Sequence, residues 1–466
     1  MHPYNITDTI CAPATAPGIA AIAIIRLSGP DAFKIAAQCF EPISKSVVFS
    51  KIASHKVFLG QFHENDRPVD EVLMTVFKNP HTYTGQDLVE FSCHGSTFIQ
   101  QEIIRILIDN GARMARPGEF TMRAFLNGRI DLSQAEAVAD LIASNSSASH
   151  NLALRQMRGH FSKRIDELRQ QLLNFAGLIE LELDFSEEDV EFADRASLTT
   201  LLTKIDTEVG RLKESFKMGN VLKNGIPVAI IGKPNVGKST LLNTLLNEER
   251  AIVSDIPGTT RDAIEDTISI KGVAFRFIDT AGLRHSQDAI ELVGIERTYE
   301  KIRQAAIILY LFDASETSLE EINETLNDFR IKFHDENKRL ILIANKIDLL
   351  EEIPQHFRNL VELETIFISA KRKENIQLIA DSLLSSVTNT REEENQDIVS
   401  NSRHYEALSK TAQAIDALRS GIEDKLPGDL LAIDLRTALH HIGTITGQVT
   451  SEEILGNIFE KFCIGK

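Results

Sequence analysis

The stretch GKPNVGKS (232–239) has the G-x-x-x-x-G-K-[ST] spacing of a loop that cradles phosphate oxygens. Gly232 and Gly237 let the backbone curl so that its N–H groups face the phosphates. Lys238 would neutralise the β and γ phosphates. Ser239 would ligate Mg²⁺, an ion that keeps several waters and takes few protein ligands. Further along, DTAG (279–282) lets Asp279 reach Mg²⁺, usually through water, and lets the Gly282 amide meet the γ-phosphate. In NKID (345–348) the Asp348 carboxylate can accept from the ring N–H and the exocyclic amine of guanine, a donor pair that adenine lacks. Guanine O6 is an acceptor, and an amide from Ser369, Ala370 or Lys371 could donate to it while Asn345 braces the loop. A glycine-rich turn or a chance surface NKID explains any one piece. All of them in this order point to GTP binding and hydrolysis.

The group that places the attacking water is less plain. Ras-like enzymes use a glutamine just after DxxG. Leu283 stands there and cannot do this. Nearby candidates are Arg284, His285, Asp288, Glu291 and Glu296, each equally readable as a solvated loop residue. DIPGTTRD (255–262) lies where a switch loop belongs. Thr260 can put a hydroxyl on Mg²⁺, and Arg261 is either an arginine finger or a surface residue.

These motifs need strand ends to hold them. VAIIG (228–232), VAFRFID (273–279), AIILYLFD (306–313), RLILIAN (339–345) and TIFIS (365–369) are short β-rich runs. Helical stretches alternate with most of them, which implies a parallel sheet with helices on its faces. Upstream, AAIAIIRLSG, DEVLMTVFKNP and DLVEFSCHGS read as strands, and QQEIIRILIDNG as an amphipathic helix ended by Gly111. From about 121 to 220 apolar residues recur at helical spacing, as in FSKRIDELRQQLLNFAGLIELEL. TNTREEENQDIVSNSR (388–403) is polar and reads as a linker. Helical patterning then resumes to the end. The expected fold is multidomain α/β plus all-α. It has an N-terminal α/β domain (1–120), a discontinuous helical domain (121–220 and 386–466) and an inserted Ras-like P-loop domain with a mostly parallel sheet (221–385). The two helical parts are expected to pack together.

At 466 residues the length suggests roughly three domains. The net charge of −17 argues against global attraction to polyanions, so any nucleic-acid contact needs a local patch. Four scattered cysteines without a CxxC pair argue against structural zinc and fit a reducing cytosol. The first residues lack a basic segment and a long apolar core, so they do not read as a signal peptide. No stretch approaches the roughly 18 apolar residues that span a bilayer. The chain closes on Cys463-Ile464-Gly465-Lys466. Cys463 reads as a packed small hydrophobe or as a lipid acceptor, although Gly465 and Lys466 fit prenylation poorly.

Taken together, RPGEFTMRAFLNGRIDLSQAEA (116–137), GKPNVGKST, AIVSDIPGTTRD, DTAGLR followed by VGIER, NKID and the terminal CIGK resemble the tRNA-modifying GTPase family MnmE, also called TrmE. The resemblance covers nearly the whole chain. It implies an N-terminal folate-binding domain that dimerises, a split helical domain and an inserted G domain whose copies pair across a homodimer. It also implies hydrolysis driven by K⁺ in the role of an arginine finger. Matched residue by residue, Asn235, Ser254, Ile256 and Thr259 hold K⁺, Ser239 and Thr260 serve Mg²⁺, and Glu291 places the water. The nucleotide-binding set becomes Asn235, Val236, Gly237, Lys238, Ser239 and Thr240, then Ser254, Asp255, Ile256, Pro257, Gly258, Thr259 and Thr260. Asp279, Thr280, Ala281, Gly282, Asn345, Lys346, Asp348, Ser369, Ala370 and Lys371 complete it.

The folate positions match Arg26, Glu90, Arg129 and Lys466, with Arg129 where a lysine is often found. An arginine keeps the charge but changes the geometry. Without the resemblance, Arg26 could simply pair with a neighbouring acid, and Glu90 could face outward from a strand. In this reading Cys463 becomes a catalytic thiol, chemically able to add to C6 of uracil and activate C5. The implied reaction forms a carboxymethylaminomethyl or aminomethyl group at C5 of the wobble uridine, position 34, of certain tRNAs. A 5-formyl- or 5,10-methylene-tetrahydrofolate supplies the one-carbon unit. The implied partner is the flavoprotein MnmG (GidA type), in a heterotetramer or larger complex in the cytoplasm, with no membrane involved. GTP is a substrate whose hydrolysis rearranges the G domains. A ribosome-assembly GTPase would share Asn235 and Leu283, but such proteins usually append a basic RNA-binding domain. A membrane-remodelling GTPase lacks support, as no basic amphipathic helix is apparent.

Overall fold

The computed structural model describes residues 6–44, 49, 52–184, 195–248, 266–278, 302–333, 338–352, 364–386, 397–460 and 462–465. The expected site residues 254–260, 279–282, 291 and 466 lie outside them. The chain divides into two compact units: Met1–Ala139, Gln156–Asp194 and Ser420–Lys466 form one, and Asp140–Arg155 with Arg195–Arg419 form the other.

The first unit is built on a sheet of strands β1 (Ile10–Pro13), β2 (Ile22–Ser28), β3 (Phe40–Pro42), β4 (Lys56–Glu64), β5 (Arg67–Phe77), β6 (Leu88–His94) and β7 (Arg113–Met114). Their order is β3-β4-β5-β6-β2-β1-β7. Side chains alternate across a strand, so one set faces the core. Val72, Met74 and Val76 on β5, Val89, Phe91 and Cys93 on β6, and Ala23, Ile25 and Leu27 on β2 are buried. Helices α1 (Ala32–Cys39) and α2 (Thr97–Asp109) bring Ile35, Ile103, Ile106 and Leu107 to this core. The opposite register places Arg26 beside Glu90, and Glu90 beside Thr75. Those side chains are left for other work.

Helices follow: α3 (Glu119–Leu126), α4 (Leu132–Ala143), α5 (Ser147–Met157), α6 (His160–Asp184) and α7 (Arg195–Asn224). The last helices are α11 (Ser402–Glu423), α12 (Gly428–Thr446) and α13 (Glu452–Phe459). Within the first unit α12 packs along α6. Leu168, Leu172, Phe175 and Ile179 recur at helical spacing on α6, as do Leu431, Leu435, Ala438 and Ile442 on α12, and all are buried. Each large apolar side chain so buried contributes about 1.5–3 kcal/mol.

The second unit carries strands β8 (Ile226–Ile231), β9 (Asp266–Ile270), β10 (Val273–Phe277), β11 (Ile307–Asp313), β12 (Arg339–Asn345) and β13 (Thr365–Phe367). Their order is β13-β12-β11-β8-β10-β9, parallel except for the β9–β10 pair. Helices cover both faces. α8 (Lys238–Glu248) and α10 (Ile376–Ser385) pack on one, and α9 (Leu319–Phe333) on the other. A strand covered on both sides has no polar face, which is why β11 reads IILYLFD and is buried throughout.

The expected linker is corrected in part. Ile398, Val399 and Ser400 are buried, the Val399 amide donates to Ser215 Oγ on α7 at 3.0 Å, and the helix begins at Ser402. A side chain at Gly219 would collide with the Val399 carbonyl. The polar composition hid two adjacent apolar residues, which suffice to dock this end of the segment.

Candidate functional site

Parallel strands bring their C-terminal ends to one edge, and the nucleotide motifs sit there. β8 ends at Ile231, the loop turns through Asn235 (φ 64°) and Gly237 (φ 101°), and α8 opens at Lys238. A side chain at Gly237 would collide with Asn345 Nδ2. That close approach has a purpose. Asn345, buried at the end of β12, donates from Nδ2 to the Val236 carbonyl at 2.7 Å. Its Oδ1 accepts the Ala370 amide at 3.0 Å. One side chain thereby ties the phosphate loop to the loop after β13. Lys238 Nζ donates to the Gly232 and Lys233 carbonyls at 2.8 and 2.6 Å, so the ammonium lies over the loop. Asn235 and Thr240 are exposed and Ser239 is half-buried at the first turn of α8. A carboxamide and a hydroxyl in those places suit the hard, oxygen-preferring cations K⁺ and Mg²⁺.

The NKID loop after β12 is equally constrained. Lys346 (φ 68°) reaches Asp313 Oδ2 at 2.6 Å. Asp313 also accepts the Ser315 amide and hydroxyl at 2.9 and 2.6 Å. Burial would raise the Asp313 pKa, but the bonds from Lys346 and Ser315 outweigh it and hold the carboxyl below its usual range. Asp348 Oδ1 accepts the Ser369 hydroxyl at 2.7 Å, and that bond foremost lowers the Asp348 carboxyl below its usual range. Ser369 N–H donates to the Glu374 carbonyl at 3.2 Å. With Ala370 taken by Asn345, Lys371 has the one amide of the three without a partner among the described residues. Sequence reasoning missed Asp313 and Ser315. The available signal was an aspartate closing a fully apolar strand.

A second cluster forms in the first unit. Arg26 on β2 donates from Nε to Glu90 Oε1 on β6 at 2.8 Å and from Nη1 to the Gly465 carbonyl at 3.2 Å. Its guanidinium lies 5.5 Å from the ring centroids of both Tyr83 and Phe120. Tyr83 shares a 2.8 Å bond with Thr121 Oγ1, and burial pushes its phenol up. Arg129 Nε donates to the Thr82 carbonyl at 3.2 Å. Cys463 is exposed, and its carbonyl accepts the Gly118 amide at 3.4 Å. Thus Arg26, Glu90 and the tail come together around a cation, and Arg129 binds the neighbouring Thr82–Tyr83 turn. A guanidinium, a carboxylate and an aromatic face suit a flat, polar heterocycle with a charged tail such as a folate. Beneath Phe120, fully buried Arg123 donates to Asp8 Oδ1 at 2.5 Å and to Glu119 Oε1 at 3.0 Å. Tyr83, Phe120 and Gly118 were not singled out in the sequence, since an aromatic residue or a glycine in a turn carries no signature of its own.

Residues 9–129 match the family described as GTP-binding protein TrmE N-terminus, and residues 132–463 match the MnmE helical domain. The chain belongs to the MnmE family of tRNA modification GTPases. It is a GTPase with a TrmE-type N-terminal domain, a helical domain and a P-loop α/β domain. Among MnmE relatives, the tRNA modification GTPase MnmE of Cytophaga hutchinsonii is 52% identical over 463 residues, spanning 99% of this chain and 98% of that protein. That of Christiangramia forsetii is 53% identical over 476 residues, spanning 99% and 100%. The FeoB G-domain from Methanococcus jannaschii is 25% identical, covering 35% of this chain and 98% of its own, at a TM-score of 0.26. None of the described helices is long and apolar enough to cross a membrane.

Proposed function

We propose that this MnmE-family GTPase acts on tRNA, adding a carboxymethylaminomethyl or aminomethyl group to C5 of the wobble uridine at position 34. Membership of the family, over 99% of the chain, is the observation that carries this reading. The proposed domains are 1–120 (folate binding and dimerisation), 121–220 and 386–466 (helical), and 221–385 (the G domain). In the G domain, Asp348 reads guanine, and the Gly232–Gly237 loop with Lys238 receives the phosphates. Ser239 and Thr260 hold Mg²⁺, while Asn235, Ser254, Ile256 and Thr259 hold K⁺. A cation so held supplies fixed positive charge where negative charge develops. Asp279 and the Gly282 amide face the γ-phosphate. Glu291 orients water, a task Leu283 cannot perform.

The modification site is the cluster around Arg26. Arg26, Glu90, Arg129 and Lys466 hold the tetrahydrofolate that donates one carbon, and Cys463 is the reactive thiol. The chain works as a cytoplasmic homodimer with the flavin-dependent MnmG. GTP hydrolysis moves the G domains and contributes no atoms to the product. The acidic chain, at −17, leaves much of the tRNA contact to that partner.

The test is nucleoside mass spectrometry of total tRNA from cells lacking the gene, complemented by wild type or by Cys463→Ser. The expected result is loss of the 5-substituted uridine, restored by wild type alone. Unchanged nucleosides in a deletion strain with no second copy would return the chain to a ribosome-assembly role. Hydrolysis in K⁺ against Na⁺ checks the cation separately, with equal rates counting against it.

A further inference from the structure

We infer that Arg26 and Gly465 form a clamp that sets where the Cys463 thiol stands, with Tyr83 and Phe120 as positioning residues of that clamp. The guanidinium is a planar fork with five donors in fixed directions. Here Nε and Nη2 both engage Glu90 Oε1 at 2.8 Å, and Nη1 takes the Gly465 carbonyl at 3.2 Å. Tyr83 and Phe120 place their rings 5.5 Å from the same group. An aromatic ring attracts and orients a guanidinium through its negative face. The acid and the two rings therefore fix Arg26, and Arg26 then fixes the chain end.

The tail is shaped for this contact. Gly465 has φ 99°, a conformation that L side chains rarely adopt, and a side chain there would collide with the Pro13 carbonyl. Only glycine lets the backbone lie against β1 and turn its carbonyl to Arg26. Two residues earlier the Cys463 carbonyl accepts the Gly118 amide. Gly118 is itself left-handed (φ 66°) and pressed against Phe459 and Phe462. Cys463 is thus exposed on a segment pinned at both ends. Three of its five N–H donors go to Glu90 and the tail, so Arg26 places the thiol in addition to any contact it makes with folate. The consequence for tRNA modification rests on the reading of Cys463 as the reactive thiol; the clamp rests on geometry alone.

The test uses a nitroxide attached to Cys463 in the full chain. The other cysteines, Cys11, Cys39 and Cys93, are buried and stay unlabelled. In wild type the label should give an immobilised spectrum. Loss of a charged hydrogen bond shifts such an equilibrium by about tenfold or more, so Gly465→Ala and Arg26→Lys should each raise the mobile fraction about tenfold. Lysine keeps its charge beside Glu90 but lacks the fork. An Arg26 that only paired with Glu90 would therefore leave the label immobile in Arg26→Lys. Tyr83→Phe keeps the ring and should match wild type, whereas Tyr83→Leu should loosen the label. A wild-type spectrum in Gly465→Ala or Arg26→Lys overturns the clamp, and one in Tyr83→Leu overturns the role of the ring. Retained tRNA modification in Cys463→Ser would overturn the catalytic reading and leave the spin-label result standing.

Discussion

Asn345 holds Val236: its Nδ2 donates to the Val236 carbonyl at 2.7 Å, across 109 residues of sequence. The same amide accepts from Ala370, so one buried side chain joins the Gly232–Gly237 loop to the loop after β13. Asn345→Ala leaves a buried acceptor and a buried donor without partners, at about 1–3 kcal/mol each. GTP affinity should fall at least tenfold (about 1.4 kcal/mol) by titration calorimetry, and the G domain should melt lower. Unchanged affinity would show that the loops hold their shape without this tie.

Glu291→Ala should behave differently. A residue that only orients water acts on the chemical step and not on ground-state binding. Single-turnover hydrolysis should drop about 100-fold or more while nucleotide affinity stays near wild type. Weakened binding with normal turnover would contradict the assignment.

Thiol chemistry should single out the tail. Burial pushes Cys11 up to about 12 and Cys39 and Cys93 up to about 11.

 The Cys93 thiol is raised first by burial and then by the Asp70 carboxylate. Thiolates are the reactive species, so these three are protonated and shielded at neutral pH. Native protein should therefore consume one equivalent of a disulfide reagent at pH 8, all of it lost in Cys463→Ser, and unfolded protein should consume four. Rapid reaction of a second thiol in the native chain would contradict the burial of the others.

Acid should weaken the N-terminal unit through Glu119. Burial raises its pKa, but Arg113, the Arg116 amide and Arg123 together outweigh that and hold it below the usual 4.5. A carboxyl whose folded value is depressed contributes stability above its unfolded value and loses it as pH falls through the folded value. Asp8 is lowered in the same way, with burial opposed by Arg113 and Arg123. Calorimetric melting of this unit should therefore fall steeply below about pH 4.5. Glu119→Gln removes the negative charge opposite buried Arg123 and should cost about 3 kcal/mol at neutral pH, with a shallower acid slope. An identical slope in the variant would place the acid-sensitive group elsewhere.

Much of the fold was legible because its signals are local. The strand at 307–313 is an apolar run closed by a single aspartate, Asp313, and such a run needs cover on both faces. The phosphate loop needs a strand before it and a helix after it, and all three are contiguous from Ile226 to Glu248. The polar segment near residue 400 misled because average composition does not register two apolar residues that find a groove on α7.

Residue types and spacing by themselves determined the glycine-lysine loop between strand and helix, the NKID motif at a strand end and the alternation that builds a parallel sheet, since each depends on neighbours within a few residues. Tertiary structure alone decided what those residues hold. Asp313 meets Lys346 because β11 and β12 run side by side. Arg26 meets Gly465 across 439 residues, because the last helix returns the chain end to β1 and β2. Contacts of that kind depend on how distant elements pack, and no periodicity along the chain encodes them.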